Sequence, residues 1–147
     1  MRMLGVGHDV VDVAAFAEQL DEPGSRMLGL FSPREVRQAS MRGRAKGDGP
    51  AVHMAAKWAG KEAALKAWES ALGELPSPYT LDDFPWNGVE ILDDGRGRPH
   101  VALGVDVERE LRASLPPVAA AGGPRWMISL SHDGPVASAV VILVDPS

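Results

Sequence analysis

From the fourth position the chain alternates. Leu4, Val6, His8 and Val10 fall on one side of an extended segment, and Gly5, Gly7 and Asp9 fall on the other. Two glycines leave that second side bare beside a carboxylate, a pattern that predicts close approach to the backbone there. Asp9 is also placed to cap the helix predicted over Asp12 to Leu20. A second helix start is written in Phe31-Ser32-Pro33-Arg34-Glu35-Val36. Ser32 fits the N-cap, Pro33 the first turn and Glu35 the reciprocal capping-box position, so Glu35 reads as structural. The basic, glycine-rich run Arg42 to Pro50 predicts a mobile loop.

The longest helical pattern runs from about Ala51 to Leu72. Met54, Trp58, Leu65, Trp68 and Leu72 recur at steps of three, four and seven, which makes a core stripe. Lys61 falls in the middle of that stripe. An unpaired buried ammonium is costly, so Lys61 needs a partner or an aqueous cleft. Glu62 lies at the stripe's edge, with Lys66 four residues on, a spacing that also suits an ordinary surface pair. Beyond a proline-containing crossing loop, Val89–Leu92 and His100–Leu103 flank Asp93-Asp94-Gly95-Arg96-Gly97-Arg98-Pro99 and predict a hairpin. Asp106 to Leu115 predicts a short amphipathic helix with Val107, Leu111 and Leu115 inward. A Pro-Ala-Gly loop follows at Pro116–Pro124. The tail predicts a second hairpin, with Trp126, Ile128, Leu130 and His132 alternating before Asp133-Gly134-Pro135, and an apolar return strand over Ala137–Val144. Helices and hairpins are interspersed without regular strand–helix alternation. The fold class expected is α+β, one domain over 1–147 with helices packed on antiparallel hairpins.

Composition narrows the function. The chain has 147 residues and a net charge of −5, which argues against a general nucleic-acid binder. It has no cysteine, which excludes disulfides, thiolate zinc sites and a cysteine nucleophile. Its apolar runs are too short to cross a bilayer, and no signal segment is recognisable, so a cytoplasmic location is expected. His8, His53, His100 and His132 have no metal-ligand spacing. Gly5-Val6-Gly7 lacks the third glycine of a dinucleotide fingerprint. Ser131 and His132 are adjacent on a strand and point to opposite faces, a poor geometry for a nucleophile pair. What remains is Asp9 and Glu62, with Lys61 and Lys66 on the same helix as Glu62. Hard oxygen ligands beside lysines suit Mg²⁺ bridging a phosphate ester, and phosphoryl transfer is largely positioning and charge stabilisation.

Three segments carry a resemblance: Gly5-Val6-Gly7-His8-Asp9-Val10-Val11, Trp58-Ala59-Gly60-Lys61-Glu62-Ala63-Ala64-Leu65-Lys66-Ala67, and Ser129-Leu130-Ser131-His132. Together with Phe31-Ser32-Pro33-Arg34-Glu35 and Gly97-Arg98-Pro99, in order and spacing, they resemble the holo-[acyl-carrier-protein] synthase family, the small 4′-phosphopantetheinyl transferases. The resemblance implies that the 4′-phosphopantetheine arm of coenzyme A moves to a serine of apo acyl carrier protein, releasing adenosine 3′,5′-bisphosphate. It implies that Asp9 and Glu62 ligate Mg²⁺ and that Glu62 helps deprotonate the serine. Lys66 would neutralise phosphate charge, and Lys61 would do the same or hold Glu62. Lys57 stands where relatives often have arginine and would meet the nucleotide 3′-phosphate. Ser131, His132 and the Gly97-Arg98-Pro99 turn would line the nucleotide pocket. The family's small members are typically homotrimers with sites shared between subunits.

One departure concerns docking. Relatives often carry basic residues on the helix after the first strand, whereas Ala14 to Asp21 has none. The substitutes are Arg26, Arg34, Arg37, Arg42 and Arg44. A rival reading is a non-catalytic coenzyme A or nucleotide-binding module, which loss of Asp9, Glu62 or Lys66 would favour; all three are present. A purely structural trimerising domain leaves Lys61 on the core stripe unexplained. The sequence chooses neither the carrier (a free fatty-acid carrier, a synthase domain or a polyketide carrier) nor Mg²⁺ over Mn²⁺.

Overall fold

The glycine side of the first strand is where two layers meet. In the computed structural model, which describes residues 1–147, strand β1 runs Arg2–Asp12 and helix α3 runs Pro50–Leu72. A Cβ added at Gly7 would collide with the carbonyl of Ala63, and one at Gly5 with the carbonyl of Ala67. The predicted close approach is therefore made by α3 itself. Glycines on the strand and Ala59, Ala63 and Ala67 on the helix let the two backbones pack with little between them.

The remaining elements are α1 (Val13–Asp21), α2 (Pro33–Lys46), β2 (Val89–Asp93), β3 (Pro99–Leu103), α4 (Val105–Ser114), β4 (Arg125–Asp133) and β5 (Val136–Asp145). The strands form two antiparallel sheets, β1-β5-β4 and β2-β3. The α+β class expected from the pattern is what the chain adopts. The core lies between α3 and the larger sheet, with Ala139, Val141 and Leu143 of β5 facing Ala63, Leu65 and Trp68. Val107, Leu111 and Leu115 are buried, as the amphipathic pattern predicts. No helix is long and apolar enough to cross a membrane.

Two expectations are corrected. Asp9 does not cap α1, because β1 continues to Asp12, whose carboxylate accepts from Ala15 N at 3.0 Å. The run Arg42–Pro50 is no loop at its start. Helix α2 continues to Lys46 and stops at Gly47, which adopts the left-handed conformation (φ 71°) that suits a helix end. Gly43 is tolerated inside α2 because the start of α3 packs onto it: a Cβ there would strike Gly49 and Pro50. The glycine side of β1 is covered, so the open apolar surface is the opposite one. Val6, Val10, Met127 and Val140 are all exposed there. The capping box of Ser32 and Glu35 forms as expected.

Candidate active site

Asp9 is the next inward-facing residue of β1 after Gly5 and Gly7, so the seam that packs those glycines on α3 also buries its carboxylate. Lys66 Nζ donates to Asp9 Oδ1 at 3.1 Å and to His8 O at 3.0 Å. The other oxygen, Asp9 Oδ2, is buried with no hydrogen-bond partner. Glu62 lies beside it. Burial, and then the neighbouring Asp9 carboxylate, push the Glu62 carboxyl up to about 7, while Lys66 opposes the rise. The pattern's alternative, a Glu62–Lys66 surface pair, gives way to a Lys66–Asp9 bond that leaves Glu62 under-compensated.

An orphaned buried carboxylate oxygen beside a carboxyl raised by burial and by its carboxylate neighbour is a place for a cation. No third His, Asp or Glu joins them. Two carboxylates with space for other oxygens fit Mg²⁺, which keeps several waters and is commonly held by one or two carboxylates plus substrate phosphates.

Other predicted residues gather elsewhere. Gly97, Pro99, Ser131 and His132 line one cavity of about 280 Å³. Arg42, Lys46 and His53 add basic groups to its wall, and Asp93 adds one carboxylate. Asp48 and His53 are 2.7 Å apart, a contact that holds the Asp48 carboxyl below its ordinary range. The His53 and His132 rings meet edge to face at 5.7 Å. Arg42 and Lys46 outnumber the Asp93 carboxylate, so the cavity carries a positive excess, with a bare glycine turn on one side. Arg98 is exposed and does not line it. Sequence reading missed Arg42, Lys46 and His53 as cavity residues. The signal for the first two is their charge density, which reads as a docking residue at Arg42 and as part of a mobile basic loop at Lys46. His53 is one turn from Lys57 on α3, yet nothing in its local pattern marks its role.

Lys61 and Lys57 are corrections. Lys61 is fully buried, paired with Glu35 at 2.7 Å, and donates to Trp86 O and Val89 O at 2.6 and 2.7 Å. It has no surface with which to reach a phosphate, and it faces away from Glu62. Lys57 is buried too, donating to Ile91 O at 2.7 Å and Gln38 Oε1 at 3.2 Å, with Asp93 at 3.6 Å. Its donors are spent inside the protein. Burial lowers both ammonium groups from their ordinary values, and the nearby carboxylates oppose that.

Residues 5–116 match the 4′-phosphopantetheinyl transferase superfamily. The chain belongs to that superfamily. It is 56% identical over 144 residues to the holo-[acyl-carrier-protein] synthase of Bifidobacterium animalis subsp. lactis, covering 96% of this chain and 97% of that one. The solved ACPS–CoA complex of Chronobacterium ammoniagenes is 34% identical, covers 97% of this chain and 98% of its own, and superposes with a TM-score of 0.83. The acyl carrier protein synthase of Mycobacterium tuberculosis is 33% identical, covering 98% and 99% of the two chains, with a TM-score of 0.71.

Proposed function

We infer that this chain is a holo-[acyl-carrier-protein] synthase, one transferase domain over 1–147. It moves the 4′-phosphopantetheine arm of coenzyme A to a serine of apo acyl carrier protein. The observation that carries the reading is the Asp9–Glu62–Lys66 cluster, set in a chain 56% identical to a relative of that name. The serine hydroxyl oxygen bonds to the β-phosphorus of coenzyme A. The bond to the bridging oxygen breaks, and adenosine 3′,5′-bisphosphate leaves with the electron pair. Glu62, directly or through a water, takes the serine proton. Lys66, half exposed at the mouth of the site, sets positive charge against the phosphates. A divalent cation held by Asp9 and Glu62 would add charge stabilisation at the pyrophosphate. The Arg42–Lys46–His132 cavity takes the nucleotide end of coenzyme A, and the reaction belongs to the cytoplasm, where carriers for fatty acid synthesis are primed.

The working form is a homotrimer. The acidic pair and the cationic cavity sit at different levels of α3, Glu62 and His53 being nine residues or about 13 Å apart along the axis. The exposed Val6, Val10, Met127 and Val140, interspersed with His8, Ser129 and Ser138 on the same face, offer apolar surface for a second copy. Docking one copy's cavity over another's carboxylates brings both ends of coenzyme A within one site; the number three comes from the family.

Apo carrier incubated with coenzyme A and Mg²⁺ should gain the mass of one phosphopantetheine arm, and chelation should stop it. No gain with any carrier of either the free or the synthase-embedded type refutes the assignment. Light scattering should give three chains, and Val10→Asp should lower both mass and activity. A monomer with full activity refutes the shared site.

A further inference from the structure

Strand β2 pairs with β3 on one side only. Its other edge is closed by side chains. Ile91 N donates to Glu35 Oε2 at 2.9 Å, and Asp93 N donates to Gln38 Oε1 at 2.8 Å. Gln38 Nε2 returns to Asp93 O at 3.1 Å. Lys57 Nζ donates to Ile91 O and Lys61 Nζ to Val89 O, each at 2.7 Å. Val89 O and the outward groups of Ile91 and Asp93 are thus met as a neighbouring strand would meet them, while Val89 N turns back to Trp86 O. A bare edge is a liability in a sheet, and here four side chains remove it.

The periodicities make this possible. Lys57 and Lys61 are four residues apart on α3, about 6 Å along a helix, and the two carbonyls they meet are two residues apart, about 6.7 Å along a strand. Glu35 and Gln38, three apart on α2, serve the amides of the same strand. The two pairs are tied to each other, since Lys61 meets Glu35 at 2.7 Å and Lys57 meets Gln38 at 3.2 Å.

The strand so held leads into the turn that carries Gly97 and Pro99. The helices that hold it also supply the facing cavity residues, Arg42 and Lys46 from α2 and His53 from α3. The Arg42 guanidinium lies over Gly97, 2.9 Å from where a Cβ would stand, and Gly97 has φ 74°. A small shift of the hairpin would change this wall directly.

We propose that Lys57 and Lys61, with Glu35 and Gln38, are positioning residues that set coenzyme A affinity by holding the Gly97–Pro99 turn against Arg42, without touching the coenzyme. The proposal rests on the reading of this cavity as the nucleotide site. It assigns to the first lysine of the Lys-Glu-Ala-Ala-Leu-Lys segment a task opposite to that of the second.

The test uses the full chain carrying Gln38→Ala with Lys57→Met, or Lys57→Met alone if the double variant does not fold. Amide exchange over Asp94–Arg98 in the free protein should accelerate. The KM for coenzyme A should rise about tenfold, as sub-ångström misplacement of binding groups predicts, with kcat and the Mg²⁺ half-saturation within about twofold. Lys57→Arg, which keeps a donor for Ile91 O, should return the coenzyme A KM to within about threefold of wild type. Faster exchange with an unchanged coenzyme A KM overturns the proposal, as does a loss confined to kcat. Arg42→Ala separates the underlying reading. If it leaves the coenzyme A KM unchanged, the cavity is not the nucleotide site, whereas the exchange result reports the clamp independently.

Discussion

Helix α3 presents two charged seams, and they are built on opposite plans. Toward β1, Asp9 Oδ2 has no partner, Glu62 is raised by its neighbour, and Lys66 is half in solvent. Toward β2, Lys61 is enclosed by Glu35, Trp86 O and Val89 O, with its Nζ 5.4 Å from the centre of the Phe31 ring. A charge whose partners are complete consolidates the fold and has nothing left for a ligand. A charge left incomplete beside solvent costs stability and is available for chemistry. Lys61 and Glu62 are adjacent in sequence, yet one residue of helical rotation assigns them to different tasks.

The sharpest way to break this contrast is Glu62→Gln. Transfer should fall by at least about a hundredfold, since one charge-stabilising group is removed. The fold should survive and, without metal, gain stability at pH 8. A carboxyl whose folded value is raised to about 7 binds protons more readily folded than unfolded. Its presence therefore costs stability progressively as pH rises from about 4.5, in full above about 7. Removing that cost should be worth on the order of 1 kcal/mol after allowing for solvent screening. Thermal melts with chelator at pH 8 measure it. A Glu62→Gln protein that melts lower than wild type would mean that the carboxylate is structural.

Lys61→Met tests the other seam. It leaves Glu35 buried and unpaired, and should cost about 3–5 kcal/mol, read by denaturant unfolding. Adding Glu35→Gln removes the stranded charge, so the double variant should be more stable than the sum of the single losses by about 1–3 kcal/mol. Strict additivity would mean that the two groups do not depend on each other.

Much of this was readable in advance, and the failures have a common cause. The alternation at Leu4–Val10, the stripe of Met54 to Leu72 and the capping box at Ser32 and Glu35 are local patterns, and each formed. The demand that Lys61 have a partner was legible from its place on an apolar stripe. The partner was not, because Glu35 is 26 residues away and already had a sufficient local explanation as a cap. Lys57 was misassigned for a related reason: its position suggested a ligand, while its donors are used by a strand that begins 32 residues later. Gly43 looked like a helix breaker, and only the crossing of α3 over α2 explains its presence inside a helix. Arg42 and Lys46 read as a surface patch until the Gly97 turn folded over them. The acidic pair was recoverable because both of its oddities, a carboxylate beside bare glycines and one at the edge of a stripe, lie within single elements.

The smallest expected effect lies one residue away from the buried pair. Arg34 and Glu90 are sequence neighbours of Glu35 and Val89, and they form a two-point contact at the surface, with Nε to Oε2 at 3.0 Å. Ser32 Oγ donates to the same carboxylate at 2.6 Å. The arrangement has the same polarity as Lys61–Glu35, but its cation is open to solvent while only Glu90 is half-buried, so Arg34→Ala should cost about 1 kcal/mol where Lys61→Met costs several. The bond from Arg34, then that from Ser32, hold the Glu90 carboxyl below its ordinary value. A carboxyl lowered by folding contributes its stability in full above the unfolded value near 4.5 and loses it as pH falls through the folded value. The gap between wild type and Arg34→Ala should therefore be constant from about pH 6 to 8, begin to shrink as pH falls through the unfolded value near 4.5, and close only below the lowered folded value, where both proteins carry the protonated group. It should also narrow in 1 M salt, where the Debye length falls to about 3 Å, whereas the Lys61→Met loss should not. Equal salt sensitivity of the two losses would place both pairs in the same solvent environment and remove the distinction between the seam that holds the hairpin and the surface that merely decorates it.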